Sequence, residues 1–231
     1  MKRLLFVLCI LSIISCKKTN SVNQGLSDNN HQVFDLMSTN NGSWWMYQSV
    51  DSHVIYRLAT GRDSFKEGLT LNYFERYDTT SGLKTHYPEY FGKNSGKYLN
   101  LIDIDGTETT YLTYVILLDN WCNGQNWDNK ETKFFSSINL NADILIHSNV
   151  VDVNQHPVYN NKTYDSVIYV HSDVWVRPSG LAIPPPYSNC GTLDVWFKRG
   201  VGIVHEKGNI NIAGVLTQNT EDWIIDYHIA P

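Results

Sequence analysis

Beyond its first forty residues the sequence predicts an all-β chain, nearly without helix, on three observations. Apolar and polar residues alternate at period two in one segment after another. Gly, Asn and Asp gather between those segments, where turns need them. No stretch of a dozen residues after residue 15 carries a helical period. With 13% aromatic and 18% charged residues, the chain has the composition of a packed domain.

The elements follow in order. Residues 31–37 fit a short helix or an entry strand. Residues 44–50 and 53–59 read as strands parted by Asp51 and Ser52. Next, Leu69, Leu71, Tyr73 and Tyr77 mark an apolar face, with Thr70, Asn72, Arg76 and Asp78 opposite. Residues 87–101 read as two strands around Gly92 to Gly96, and Asp105-Gly106 has the composition of a tight turn. Strands are expected at 109–118, 132–137 and 142–153, then a turn at Asn160-Asn161-Lys162. In 164–176, Ile168, Val170, Val174 and Val176 share one face; Asp165, Tyr169, His171 and Asp173 share the other. Pro184-Pro185-Pro186 excludes a central strand at 181–191. Strands at 192–199, 201–206, 210–217 and 221–229 complete the chain, the last with Trp223, Ile225, Tyr227 and Ile229 pointing one way.

A weak echo suggests two similar β-meanders sharing one core. Gly42-Ser-Trp44-Trp45 matches Gly124-Gln-Asn-Trp127, and Tyr90-Phe91 with Gly96 matches Trp196-Phe197 with Gly202. A long alternating strand lies between the markers in each half.

The N-terminus has a separate pattern. Met1-Lys2-Arg3 is basic, Leu4 to Ile14 is apolar except Ser12, and Ser15-Cys16 follows. This is the succession of a secretory signal; the apolar run is far short of the ~20 residues a membrane span needs. Ile13-Ile14-Ser15-Cys16 resembles the cleavage box of bacterial lipoproteins. The resemblance implies removal of residues 1–15, acylation of Cys16, a polar tether over 16–40 and a single β domain over 41–231. The mature chain would keep 216 residues and a formal charge of −7. It also implies attachment through acyl chains to the cell envelope, at the outer membrane of a Gram-negative bacterium, with the facing side open. From Gly42 to Ile229, the Gly-x-Trp start and the aromatic–Gly hairpin resemble β-rich envelope lipoproteins. Those have an antiparallel sheet curved into an open or half-closed barrel, and the likeness implies a cradle for an acyl chain or another apolar ligand.

Once Cys9 and Cys16 are accounted for by the signal and the lipid, Cys122 and Cys190 remain, an even pair in an oxidising compartment. A disulfide between them is expected, with two separately buried thiols as the alternative. No basic patch supports nucleic acid as a partner. His205-Glu206 lacks the second His of a zinc-protease motif, and Asp103-Ile-Asp105-Gly106 places its Gly too early for a calcium loop. No nucleophile elbow or phosphate loop occurs, so no cofactor and no catalytic residue is assigned. Seven Trp and fourteen Tyr are the chemically suggestive excess. Adjacent Trp44 and Trp45 point to opposite faces of a strand, and Trp45, Trp175, Tyr169 and His171 are the candidate ligand-binding residues. The expected role is non-enzymatic: an anchored protein that binds an apolar ligand or holds a partner. The alternatives are glycan binding on exposed rings, then a hydrolase with a dispersed carboxylate pair.

Overall fold

The computed structural model describes residues 35–79, 85–104, 108–212 and 216–231. The signal, Cys16, the tether as far as residue 34 and the Asp105-Gly106 turn lie outside the described residues; 35–40, expected as the end of the tether, instead carry the buried Leu36 and Met37.

Six strands form a first meander: β1 (Trp44–Ser49), β2 (Val54–Lys66), β3 (Leu69–Asp78), β4 (Thr85–Asn94), β5 (Lys97–Asp103) and β6 (Tyr111–Leu118). A second begins with β7 (Asn126–Phe135) and β8 (Leu140–Gln155), joined by a 3-10 turn at Ser136–Ile138. A small hairpin, β9 (Val158–Tyr159) with β10 (Lys162–Thr163), interrupts it before β11 (Val167–Pro178). β12 (Ser188–Lys198), β13 (Gly202–Ile212) and β14 (Leu216–His228) finish the chain. The twelve long strands make one antiparallel sheet in the order β6-β5-β4-β3-β2-β1-β14-β13-β12-β11-β8-β7. It curls into a barrel that is nearly closed, with one unsealed seam between its edge strands β6 and β7.

The echo markers fall on corresponding strands of the two meanders. Trp44 and Trp127 lie on each first strand, the long alternating segments are each third strand, and Phe91 and Phe197 lie on each fourth. The two halves meet unequally. β1 joins β14 through a backbone ladder from Trp44↔His228 to Ser49↔Asp222. At the other junction, side chains of β7 bond to the exposed backbone of β6. Trp127 Nε1 donates to Val115 O at 3.0 Å and Asn129 Nδ2 to Thr113 O at 2.7 Å, while Thr113 N donates to Glu131 Oε2 at 3.2 Å. An edge strand with unmet N–H and C=O groups is a liability, and here alternate side chains of one strand meet those needs.

Apolar residues fill most of the interior: Trp45, Phe74, Phe91, Ile144, Ile146, Val174 and Phe197 are all essentially inaccessible. Residues before β1 stopper one end. Leu36 and Met37 are buried beside Phe91, Ile116, Phe197 and Ile203. Gly200 N bonds to Leu36 O at 3.1 Å. Gly202 has φ +107, and a Cβ there would lie 2.6 Å from Met37 Cβ, so glycine admits the stopper. Tyr98 hydroxyl donates to Asp35, whose carboxylate also meets Arg199 at 3.3 Å.

The tip of the β2–β3 hairpin leaves the barrel where the register shifts between Ala59 and Arg62. It folds over the outer face of β4 to β6 and buries a second cluster of Leu71, Tyr90, Leu101 and Tyr111. Lys66 Nζ lies 5.4 Å and 5.1 Å from the Tyr90 and Tyr111 ring centres, and Glu67 reaches Lys133 of β7 at 3.2 Å.

Three expectations need correction. On β3 the apolar face chosen from sequence, with Tyr73 and Tyr77, points outward; Asn72, Phe74 and Arg76 point inward. On β14 the four residues do not share one face: Trp223 faces out opposite His205, and Ile224 is buried opposite Tyr47. Past the register shift between Met46 and Tyr47, Tyr227 pairs with inward Trp45 and packs against the core. The outer face can carry aromatics because hairpins and cross-strand stacking cover it. The Cys122–Cys190 bridge is not formed: Cys190 is a free thiol. Gly124, two residues from Cys122, bonds to Val150 O, and Val150 pairs with Val170. Cys190 lies on β12 beside Gly191, which pairs with Val174, four residues further along β11. The two cysteines are thus held at different parts of the sheet, Cys122 beside β8 and Cys190 on β12, with β11 between them.

Candidate functional site

Alternation along β2 directs Ile55, Arg57 and Ala59 inward, so a guanidinium enters the core with 1% of Arg57 exposed. Such a charge needs full pairing. Glu89 of β4 supplies it in a two-point contact: Arg57 Nε to Oε2 at 2.5 Å and Nη2 to Oε1 at 3.0 Å. Arg57 Nη1 donates to the Tyr47 hydroxyl at 3.0 Å, which donates onward to Ile203 O at 3.0 Å. Burial raises the Tyr47 pKa above its usual range, so the hydroxyl keeps the proton this relay needs. The guanidinium also lies 5.0 Å and 5.4 Å from the Tyr47 and Phe91 ring centres.

Arg76 of β3 is the second cation, 3.5 Å from Glu89 Oε1 and 3.6 Å from Asp222 Oδ2. Glu206 of β13 lies 3.8 Å from Arg57 Nη2 and directly opposite Asp222 in the ladder. Burial opposes ionisation of Glu89, but Arg57 and Arg76 hold its carboxyl below the usual range. At Asp222 the balance is reversed. Burial and the neighbouring Glu206 push its carboxyl up to about 6 against the pull of Arg76 and of the Ser49 side chain opposite it on β1.

This cluster adjoins a cavity of about 340 Å³ at the barrel end opposite the Leu36–Met37 stopper. Arg57, Arg76, Glu89 and Glu206 form its polar side; Ile102, Ile116, Leu193, Val195, Phe197 and Ile203 form an apolar wall. Half-exposed Tyr87 stands among the lining residues. Asn100 also lines it and has a buried side-chain oxygen with no partner. Above Tyr114, another lining residue, the wall contains a buried chain of hydroxyls: Tyr114 to Ser172 and Ser172 to Ser148, each 2.9 Å.

None of the four residues proposed from sequence lines this cavity. Trp45, expected as an accessible ring, is the inward member of its pair, 0% exposed, and donates from Nε1 to Val201 O at 2.5 Å. Trp175, Tyr169 and His171 share the outer face of β11. Tyr169 hydroxyl and His171 Nδ1 both bond Asp194 Oδ1 at 2.7 Å, while Trp175 stands two rungs further along.

The outer rings stack on one another. Trp196 lies between Tyr169 at 4.4 Å and 1° and His205 at 4.3 Å and 17°. Trp44 lies between Tyr56 at 5.8 Å and His228 at 6.3 Å. With both faces occupied, these tryptophans leave no flat platform for a sugar ring. His205, whose pKa burial lowers, takes part in this outer stack, whereas the adjacent Glu206 faces the cavity. Asp103 Oδ2 accepts from Glu108 N at 2.9 Å, and no group of three or more metal-ligating side chains converges among the described residues.

The cluster was missed because its members lie far apart in sequence. A signal did exist: Arg57 between Ile55 and Ala59, and Asp222 two positions before Ile224, place charge on an apolar register.

The site therefore belongs to a twelve-stranded antiparallel barrel with a mixed polar and apolar chamber at one end. Among solved structures it is similar to a protein of Parabacteroides distasonis described as a candidate lipoprotein, with a TM-score of 0.52 and 10% identity over 87% of this chain and 100% of that one. At that identity the likeness is one of fold. No protein-family model and no curated protein matches the chain.

Proposed function

We propose that the chain is a lipid-anchored envelope protein that binds, without catalysis, a small amphipathic ligand in the chamber at the open end of its barrel. The carrying observation is the cavity of about 340 Å³, with a hydrocarbon wall on one side and paired charges on the other. That lining favours a molecule with distinct apolar and polar parts over a bare acyl chain. At ~30 Å³ per water-sized group it accommodates about a dozen non-hydrogen atoms. The anchor reading is supported by Leu4 to Cys16 and by the fold shared with a candidate lipoprotein.

Two experiments test the two parts. Replacing Leu193, on the apolar wall, with Trp fills the chamber and is expected to abolish binding of small amphiphiles while circular dichroism stays unchanged; retained binding would reject the site. Cys16→Ser is expected to move the protein from the membrane to the soluble fraction or leave it unprocessed, and unaltered membrane recovery would reject the anchor.

A further inference from the structure

The charges beside the chamber do not cancel. Arg57 and Arg76 face Glu89, Glu206 and Asp222. Arg57 is satisfied by the two-point contact with Glu89, and Arg76 is shared between Glu89 and Asp222 at 3.5 and 3.6 Å. Glu206 keeps only a 3.8 Å contact with a guanidinium committed elsewhere, and it lines the cavity. The unpartnered Asn100 oxygen is a further acceptor in the same lining, and Tyr87 adds an aromatic ring. Two guanidiniums face three carboxylates in this cluster. The other charged residues of the lining, Asp103, Asp194 and Lys207, add two negative charges and one positive, so an excess of negative charge remains beside a partly apolar chamber.

We propose that the chamber selects amphiphiles with a cationic head, an alkyl or aralkyl ammonium, with the ammonium at Glu206 and the hydrocarbon against Ile116, Leu193, Val195 and Phe197. This rests on the binding role proposed above and names its ligand class. A carboxylate or phosphate head would meet Glu206 and Glu89 with the same sign of charge, whereas an ammonium can donate to Glu206 and Asn100 and face the ring of Tyr87.

Binding should also depend on protonation of Asp222. Glu206 faces it from β13, Arg76 from β3 and Arg57 from β2, and Ser49 lies opposite it on β1 and favours its ionised form; Glu89 of β4 shares Arg76 with it. Protonating Asp222 lowers the negative excess, so affinity for a cation falls as pH drops through about 6.

The probes are n-octylammonium, n-octanol and octanoate, titrated calorimetrically into the folded protein between pH 5 and pH 8. The expected result is octylammonium binding at least tenfold tighter than octanol at pH 8, with octanoate weakest. That preference should shrink toward pH 5 and disappear in Glu206→Gln, whose side chain has the same shape. In Asp222→Asn, which is neutral at every pH, the preference should stay at its reduced low-pH level and lose its pH dependence. Octanoate or octanol binding as tightly as octylammonium would overturn the charge selection while leaving the binding role intact. Binding by none of the three, with circular dichroism unchanged, would overturn both.

Discussion

A fully paired buried guanidinium, Arg57, and an under-compensated buried carboxylate, Asp222, govern this protein at the scale of single residues. Replacing Arg57 with Ala strands Glu89 and leaves Glu206 without its nearest cation. Breaking a buried pair from one side costs about 3–5 kcal/mol. Chemical denaturation of Arg57→Ala is expected to show a loss of that size, while Arg57→Met combined with Glu89→Leu recovers much of it. Asp222 behaves in the opposite sense. Its carboxyl is raised to about 6 in the folded chain against an unfolded value near 3.9. Ionisation above pH 6 therefore works against the fold by roughly 3 kcal/mol, and the penalty fades as pH falls from about 6 to about 4. Asp222→Asn should accordingly melt higher than wild type at pH 8, with the difference closing near pH 4; an equal difference at both pH values would contradict this assignment. Glu89 has a lowered pKa, so its stabilising contribution is present above the ordinary glutamate range and is lost as pH falls through its depressed folded value.

Individual strands show where local rules are bent to serve the barrel. β7 donates its inward side chains to the β6 backbone, so Asn129→Ala should leave Thr113 O unmet and weaken the fold by about 1–3 kcal/mol. Hydrogen exchange should quicken along β6 before any other strand; uniform exchange would show that the seam is held in another way. In β12, Gly191 sits at φ +134, and a Cβ there would lie 1.8 Å from Asn209 O of the neighbouring strand. Backbone cannot yield that distance cheaply, so Gly191→Ala is expected to reduce the melting temperature sharply, whereas Gly180→Ala, with open space around it, should carry only the strain of its positive φ. The small hairpin of β9 and β10 has a covering role: Tyr159 hydroxyl reaches His205 Nδ1 at 2.9 Å, and Asn160 Nδ2 donates to Ile225 O at 3.1 Å. This cover and the stacked rings beneath it let β14 turn Trp223 outward.

Across the whole molecule, two meanders share one interior that a stopper closes at one end and a chamber opens at the other. A chain beginning at Asp35 retains Leu36 and Met37 and serves as the reference in urea denaturation. One beginning at Asn41 loses both side chains, each worth about 1.5–3 kcal/mol when fully buried, and should unfold at distinctly lower urea. Equal midpoints would mean the stopper contributes no stability. Most strands and the two-meander plan were legible in sequence because alternation, turn glycines and repeated aromatic–Gly spacings are local properties. However, β2 runs on to Lys66, β7 starts at Asn126, and β12 begins at Ser188, inside the segment whose prolines predict no central strand. Alternation defines two faces of a strand without saying which is inside. That was decided by closure of the sheet, which placed Arg57, Arg76, Glu89, Glu206 and Asp222 together, although 165 positions separate the first from the last. The sequence by itself determined the β class and the expectation of an anchored N-terminus. Only the tertiary structure decided the chamber and the charge it holds, because the balance among buried ions depends on distances between strands and not on spacing along the chain.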